Sequence, residues 1–239
     1  MIHVVTPWYN AALYLRNCIY SLQCQCERDW RCFLVDDLST DHSCDVVEAL
    51  TDDDRRFTYL QNREKLYVAG SYRRVLLSPE IADDDIIVCL DGDDLLPDSG
   101  VLSRIKAVYS DPNVWITWGS YKTILGRRGL SKPVQDVTKV RNIPWATSHL
   151  RTFRAFLFRN ILPQDLLGSH GRPLEAAGDC ALMFPMLEMA TNSHARFLPE
   201  INYVYNSGNP LCEYRTKRNK QIACERSLRN RPRYPPLTR

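Results

Sequence analysis

The first half of the chain alternates short apolar runs with segments whose apolar residues recur at helical spacing. That alternation is the pattern of strands and helices in parallel α/β layers. Residues 2–6 read as a buried strand, broken at Pro7 to Asn10. A helix over 12–23 follows, with Leu15, Cys18, Ile19 and Leu22 on one face. Residues 32–35 form a second strand, and a helix runs through Val46, Val47 and Leu50 after the N-cap candidates Ser39, Thr40 and Asp41. A third strand is expected over 57–60, a helix near 69–77 stopped by Pro79, a fourth strand over 86–90, a helix over 101–109 and a strand over 114–120. The rhythm then changes. Residues 126–144 read as a long polar and basic loop, 153–158 and 180–189 as helices, and 201–205 as a late strand. From Tyr214 a basic helix leads into a Pro-rich tail.

No apolar run approaches the ~18 to 20 residues of a membrane helix, since Ile86 to Leu90 is only strand-sized. No basic n-region precedes Ile2, so neither a signal peptide nor a membrane span is expected. The expectation is a soluble, cytoplasmic α/β protein with a mostly parallel, Rossmann-like sheet and flanking helices in a single domain.

Composition changes this picture little. The 239 residues are 44% hydrophobic and 25% charged, as in ordinary globular proteins, which excludes disordered, collagen-like and coiled-coil chains. Nine cysteines, an odd and scattered set, argue for reduced thiols in a reducing compartment. Cys24, Cys26 and Cys32 lie close together, but no second Cys/His pair completes a zinc site. Charge says more. The net +3 conceals a split: residues 214–239 hold nine Lys/Arg against Glu225 alone, so that end is +8 and the rest is −5.

The acids cluster where chemistry is expected. Asp36 and Asp37 end the second strand, and Asp91, Asp93 and Asp94 follow the fourth. In open α/β sheets, ligands bind at the carboxyl ends of strands. Carboxylates on a tight glycine-containing turn can converge on a divalent cation and share it with substrate phosphates. Such acids are also helix caps and turn formers. For Asp94 both readings stand, whereas three acids ending a buried strand favour metal for Asp91 and Asp93.

Pro7-Trp8-Tyr9-Asn10, then Asp36-Asp37-Leu38-Ser39-Thr40-Asp41, then Asp91-Gly92-Asp93-Asp94 together resemble the family 2 glycosyltransferases of GT-A fold. Those enzymes carry a Pro-x-Tyr-Asn turn, an Asp-Asp-Gly-Ser-Thr-Asp segment and an Asp-x-Asp metal motif in this order. Residues 148–154, 177–188 and 203–206 resemble later segments of the same family. The resemblance implies an inverting transferase that moves a sugar from a nucleotide-sugar donor, UDP by expectation, to the hydroxyl of a glycan, protein or lipid acceptor. It also implies a GT-A domain over 1–213, its nucleotide-binding half over 1–120 and its acceptor half over 121–213, with 214–239 as a basic helix and tail.

By the same resemblance, Pro7 and Tyr9 lie along the base and Asp37 bonds its edge, while Asp36 could be structural. Lys65 and Arg73 supply basic contacts to the nucleotide, and Gly92 lies within the donor motif. Asp91 and Asp93 hold Mn²⁺ or Mg²⁺, Asp93 being the more direct ligand. Asp179 is the general base, with Glu175 as a nearby competitor; as a residue preceding the helix over 180–189, Asp179 also reads as an N-cap. Leu38 stands where the family has glycine, so the turn is expected to differ. Asn206, Ser207, Gly208 and Asn209 occupy the region where many members place a metal-binding histidine.

Other residues carry weaker expectations. His149 either touches the diphosphate or bonds to backbone. His3, His42, His170 and His194 are structural or solvated. Residues 168–178 form a loop that closes over substrate. Trp115, Trp118 and Trp145 are candidates for a sugar platform, with at least one of the first two in the core. A haloacid-dehalogenase-like phosphohydrolase fits poorly, because Leu95 stands where that motif has Thr or Val. The remaining rival is a non-enzymatic protein that binds an anionic surface or nucleic acid through the basic C-terminus. No nucleic-acid motif supports it. A peripheral membrane contact through the same end is the milder form of that reading.

Overall fold

The computed structural model describes residues 1–168 and 171–239, with backbone only at 213 and 214. Expectations for His170, for residues 169–170 of the closing loop and for the Tyr214 side chain lie outside the described residues. The strands are β1 (Ile2–Trp8), β2 (Trp30–Asp36), β3 (Phe57–Gln61), β4 (Ile86–Cys89), β5 (Ile116–Thr123), β6 (Arg151–Arg154) and β7 (Ala195–Tyr205). The helices are α1 (Ala12–Gln23), α2 (Ser43–Thr51), α3 (Tyr67–Leu76), α4 (Val101–Val108), α5 (Ala155–Arg159), α6 (Gly178–His194), α7 (Glu213–Thr216) and α8 (Arg218–Arg229).

One seven-stranded sheet runs β3-β2-β1-β4-β6-β5-β7. β1 pairs in parallel with β2 and β4, β2 with β3, and β5 with β7; β6 is antiparallel to both β4 and β5. The mostly parallel α/β sheet expected from the sequence is therefore present. Strands buried on both faces need apolar residues throughout, and every residue of β1 and of β4 is buried. Alternation sorts their side chains into two cores. Val5, Val35, Ile87 and Cys89 face one core with Tyr72 of α3 and Phe184 of α6. Val4, Leu34 and Val88 face the other with Leu15 of α1 and Leu102 of α4.

The helix expected over 153–158 is two elements. Residues 151–154 form β6, and only 155–159 turn as helix. The strand escapes an apolar pattern because its two arginines are buried among acceptors. Arg154 donates to the carbonyls of Val114, Tyr109, Asp111 and Asp84. The expected helix over 180–189 is longer, and between Gly178 and Ala190 all but Asp179 are buried. A helix apolar all round sits inside a protein. The late strand begins at Ala195 rather than at 201. The expected loop over 126–144 holds one 3-10 segment, Val137–Asn142.

The basic C-terminus is stitched to this body. Arg229 donates to the carbonyls of Val140 and Arg141, and Arg231 to those of Asp165 and Leu167. The Leu237 amide donates to the Met189 carbonyl at 2.9 Å. All nine cysteines are free, with Cys18, Cys32, Cys89 and Cys180 buried. Trp115 and Trp118 are both core, 6% and 2% exposed. Trp145 is partly buried and packs on Phe184, so none of the three lines the cavity described next.

Candidate active site

An open cavity of about 280 Å³ lies at the carboxyl ends of β1, β2 and β4. β1 contributes Pro7, Trp8 and Tyr9. Tyr9 is 46% exposed, and Lys65 Nζ stands 3.1 Å from its ring centroid. The same ammonium donates to the Asp37 carbonyl at 2.7 Å and lies 3.4 Å from Asp37 Oδ2. Burial pulls the Lys65 pKa below its ordinary value, against the raising effect of Asp37.

Asp37 is an organiser. Its buried carboxylate accepts from the Leu66 amide at 2.8 Å, the Tyr67 amide at 3.0 Å and Asn62 Nδ2 at 2.8 Å. The 62–67 segment is thereby bent around it. Asp36 is structural, fully buried and accepting from the Ser39 amide and Gln61 Nε2. Leu38 follows at φ 62°, the left-handed conformation that glycine favours. A leucine there costs about 1 kcal/mol, and the neighbouring Ser39, bonded through its amide to Asp36 and through its hydroxyl to the Asn10 amide, helps hold the turn. Arg73 is exposed and outside the cavity, contrary to its expected nucleotide contact. Its neighbour Arg74 donates to Gln61 O and Asn62 Oδ1, which orients the amide that serves Asp37.

After β4, Gly92 brings the acidic turn against β1. Its amide donates to the Pro7 carbonyl at 3.1 Å, and a Cβ there would stand 2.7 Å from Trp8 Cβ. The residue is thus a packing glycine and lines no part of the cavity, unlike its expected role. Asp91, Asp93 and Asp94 all line it. Asp94 is not a helix cap, since α4 begins seven residues later at Val101 and is capped by Gly100. Instead Asp94 accepts from Tyr203 Oη at 2.5 Å and the Asn206 amide at 2.6 Å. Asp93 accepts from Asn209 Nδ2 at 2.7 Å.

Burial raises the pKa of all three acids, and for Asp94 and Asp91 the neighbouring carboxylates add to it. A cluster held in that state favours a cation. Ligand atoms of Asp91, Asp94 and His149 lie within 4.8 Å of one another. His149 stacks on Tyr203 with centroids 4.3 Å apart, and burial followed by the Arg151 charge keeps its pKa well below 6.5. Its buried Nδ1 has no partner. A neutral imidazole with a spare nitrogen beside two carboxylates suits a divalent cation. Buried polar atoms are normally bonded. Among the described residues, three of the five unpartnered ones belong to cavity-lining Trp8, His149 and Arg151.

Asp179 reaches the cavity from the first turn of α6. Gly178 allows this because α6 meets α3 closely there, where a Cβ would stand 2.9 Å from Val68 Cβ. Asp179 Oδ1 accepts from the Cys180 amide at 2.9 Å. Glu175, the competitor, instead pairs with Lys220 outside the cavity. Arg151 joins the two acidic sides. Its Nη2 is 3.4 Å from Asp91 Oδ2 and its Nη1 is 3.4 Å from Asp179 Oδ2, with the side chain 6% exposed. Leu211, Cys212, Lys217 and Gln221 close the cavity from the C-terminal segment, so residues on both sides of position 213 line one space.

The expected residues Pro7, Tyr9, Asp37, Lys65, Asp91, Asp93 and Asp179 are therefore brought together, and Arg73 and Gly92 are not. Arg151 and Lys217 were not singled out for the site by the sequence, which left Asp94 between metal ligand and helix cap. The only signal for Arg151 was its place in the 148–154 segment.

Residues 3–166 match the family model for glycosyl transferase family 2. The glycosyltransferase GlyG of Streptococcus pneumoniae is 29% identical over 108 residues, 45% of this chain and 35% of that protein. TarS 1-349 of S. aureus, solved in complex with UDP-GlcNAc, superposes with a TM-score of 0.64 at 17% identity, covering 90% of this chain and 60% of that one. The mannosyltransferase PcManGT of Pyrobaculum calidifontis, solved in complex with GDP-Man and Mn²⁺, gives 0.68 at 18% identity over 97% and 65%. The chain thus spans about a third of the length of GlyG and under two thirds of either solved neighbour. At these identities the structural likeness carries the fold, which is GT-A.

Proposed function

The chain belongs to glycosyl transferase family 2, and from that premise we propose that it transfers a sugar from a nucleotide-sugar donor to an acceptor hydroxyl with inversion, Asp179 serving as general base. The observation that carries this reading is the shared guanidinium of Arg151, which gathers Asp91 and Asp179 in one open cavity. UDP is the nucleotide proposed, on the family resemblance.

Pro7, Tyr9 and Lys65 form the wall for the nucleotide, with Asp37 shaping the segment that carries Lys65 and Tyr67. Asp91, Asp94 and His149 would hold a divalent cation with Asp93 beside them, and such a cation neutralises a departing diphosphate as a Lewis acid. The imidazole favours Mn²⁺ over Mg²⁺, which prefers oxygen ligands. Arg151 fixes the Asp179 carboxylate and keeps a positive charge beside the departing group. Asp179, 26% exposed, is open to an incoming hydroxyl. As the hydroxyl oxygen attacks the anomeric carbon, Asp179 takes its proton and the bond to the diphosphate breaks on the opposite face, which inverts that carbon.

The test is Asp179→Asn against a panel of UDP- and GDP-sugars with Mn²⁺. Turnover should fall by roughly 10² to 10⁴, the usual worth of a general base, while calorimetry finds donor affinity unchanged. Full turnover in Asp179→Asn would remove the base assignment.

A further inference from the structure

The hairpin that follows β5 is unlike the rest of the surface. Residues 124–130 read Ile-Leu-Gly-Arg-Arg-Gly-Leu. Ile124, Leu125 and Leu130 are 51%, 77% and 55% exposed, so three of the large exposed apolar side chains fall within seven positions. Arg127 and Arg128 are exposed between them, and Lys122 and Lys132 flank the turn. No acid occurs between Asp111 and Asp136.

The hairpin is nevertheless built. Thr123 and Arg127 bond through backbone at 2.7 Å, the Gly129 amide donates to the Tyr121 carbonyl at 2.8 Å, and Lys122 bridges Arg128. Gly126 makes the turn at φ 79°, and a side chain there would meet nothing within 4 Å. Ordered backbone thus holds apolar side chains out beyond the body with cations at their base.

Its position adds meaning. β5 is antiparallel to β6, which is antiparallel to β4, so the ends of β4 and β5 lie on one edge of the sheet. The Ile124 amide donates to the carbonyl of cavity-lining Tyr205 at 2.8 Å. The tip therefore stands beside the mouth of the cavity.

We propose that this hairpin seats the protein on an anionic lipid bilayer, Ile124 and Leu125 entering the headgroup region while Arg127 and its neighbours meet lipid phosphates. Charge complementarity selects this occupant: apolar side chains ringed by cations without acids fit a surface that is apolar below and anionic above. No helix among the described residues is long and apolar enough to cross a membrane. Of the C-terminal arginines, Arg229 and Arg231 are engaged with carbonyls of the body and are poorer anchors than Arg127.

Co-sedimentation with phosphatidylglycerol–phosphatidylcholine vesicles tests this, with pure phosphatidylcholine vesicles as the neutral arm. The wild-type chain should pellet with the anionic vesicles and not with the neutral ones. Arg127→Ser should weaken partition about fivefold, the worth of one basic residue at such a surface, and Leu125→Ser about tenfold. Arg226→Ser on α8 should change nothing. Both hairpin positions are exposed, so unchanged thermal unfolding will show that the variants fold. Wild-type binding in Leu125→Ser and Arg127→Ser, or no pelleting of the wild type, overturns the proposal. So does a dimer in sedimentation velocity that Leu125→Ser dissolves without altering vesicle binding. The assay contains no nucleotide sugar, so its outcome is independent of the transferase reading.

Discussion

Arg141 offers a strong test of how the basic C-terminus is held. Its guanidinium donates to Glu188 through Nε at 2.6 Å and Nη2 at 3.0 Å, and the two side chains are 4% and 1% exposed. Nη1 donates to the Leu228 carbonyl at the end of α8, and Glu188 also accepts the Tyr234 amide at 3.1 Å. One ion pair thus joins the 3-10 segment, α6, α8 and the tail. In Arg141→Met the Glu188 carboxylate stays buried with a single remaining donor. Removing one partner of a buried pair costs about 3 to 5 kcal/mol. For a chain of this size each kcal/mol moves the midpoint by roughly 2 to 4 °C, so Tm should drop by roughly 6 to 20 °C. Arg141→Met with Glu188→Leu removes both charges and should recover most of that loss, because apolar replacements of buried pairs are often neutral or stabilising. Thermal and urea unfolding of the four-member cycle measure the coupling. A Tm shift below about 2 °C in the single variant, or a double variant as unstable as the two singles combined, would refute the reasoning.

Arg151→Gln removes the charge shared by Asp91 and Asp179; steady-state kinetics should show kcat falling more than KM rises, with Arg151→Lys recovering part of kcat, and equal losses in both variants would count against a positioning role. Gly92→Ala places a Cβ 2.7 Å from Trp8 Cβ, and urea unfolding should report a loss of about 1 to 3 kcal/mol, as overpacking does. Burial lowers the His3 pKa from 6.5 and outweighs the raising effect of its bond to Asp85. The unfolded chain then binds a proton near pH 6.5 that the folded one refuses, so this contribution is whole above pH 6.5 and drains as pH falls from there through the folded pKa. The urea midpoint should therefore decline between pH 7 and 5, and His3→Gln should flatten the decline; an unchanged slope would show that His3 does not carry it.

Much of the first half of the chain was legible because its strands obey local rules. The strands β1, β2 and β4 are mostly apolar runs, with Asp36 closing β2 and Asp91 following β4, and short-range pattern places such acids at the edge where parallel sheets bind ligands. The second half was harder. β6 has an arginine at each end, and its strand character comes from pairing with β4 and β5 rather than from its own pattern. Tertiary override of this kind is usual for strands, whose partners supply the hydrogen bonds. Asp94 looked equally suited to capping, and only the approach of β7, bringing Tyr203 and the Asn206 amide onto its carboxylate, distinguishes the two roles.

The order of elements in the first half, its parallel strands and the acids at their carboxyl edge follow from the sequence alone, since helix and strand periodicity and turn chemistry act over a few residues. Tertiary structure decided the rest. It put Arg151 between Asp91 and Asp179, separated in sequence by 88 positions, and turned Arg73 outward while Lys65 faces in. It brought His149 to the carboxylates in place of a late-strand histidine, and tied the basic C-terminus to the body through backbone carbonyls. These are long-range contacts that each involve a charged group and a partner distant in sequence. Sequence pattern does not encode them, because a charge finds its partner only after packing has excluded water and fixed which surfaces meet.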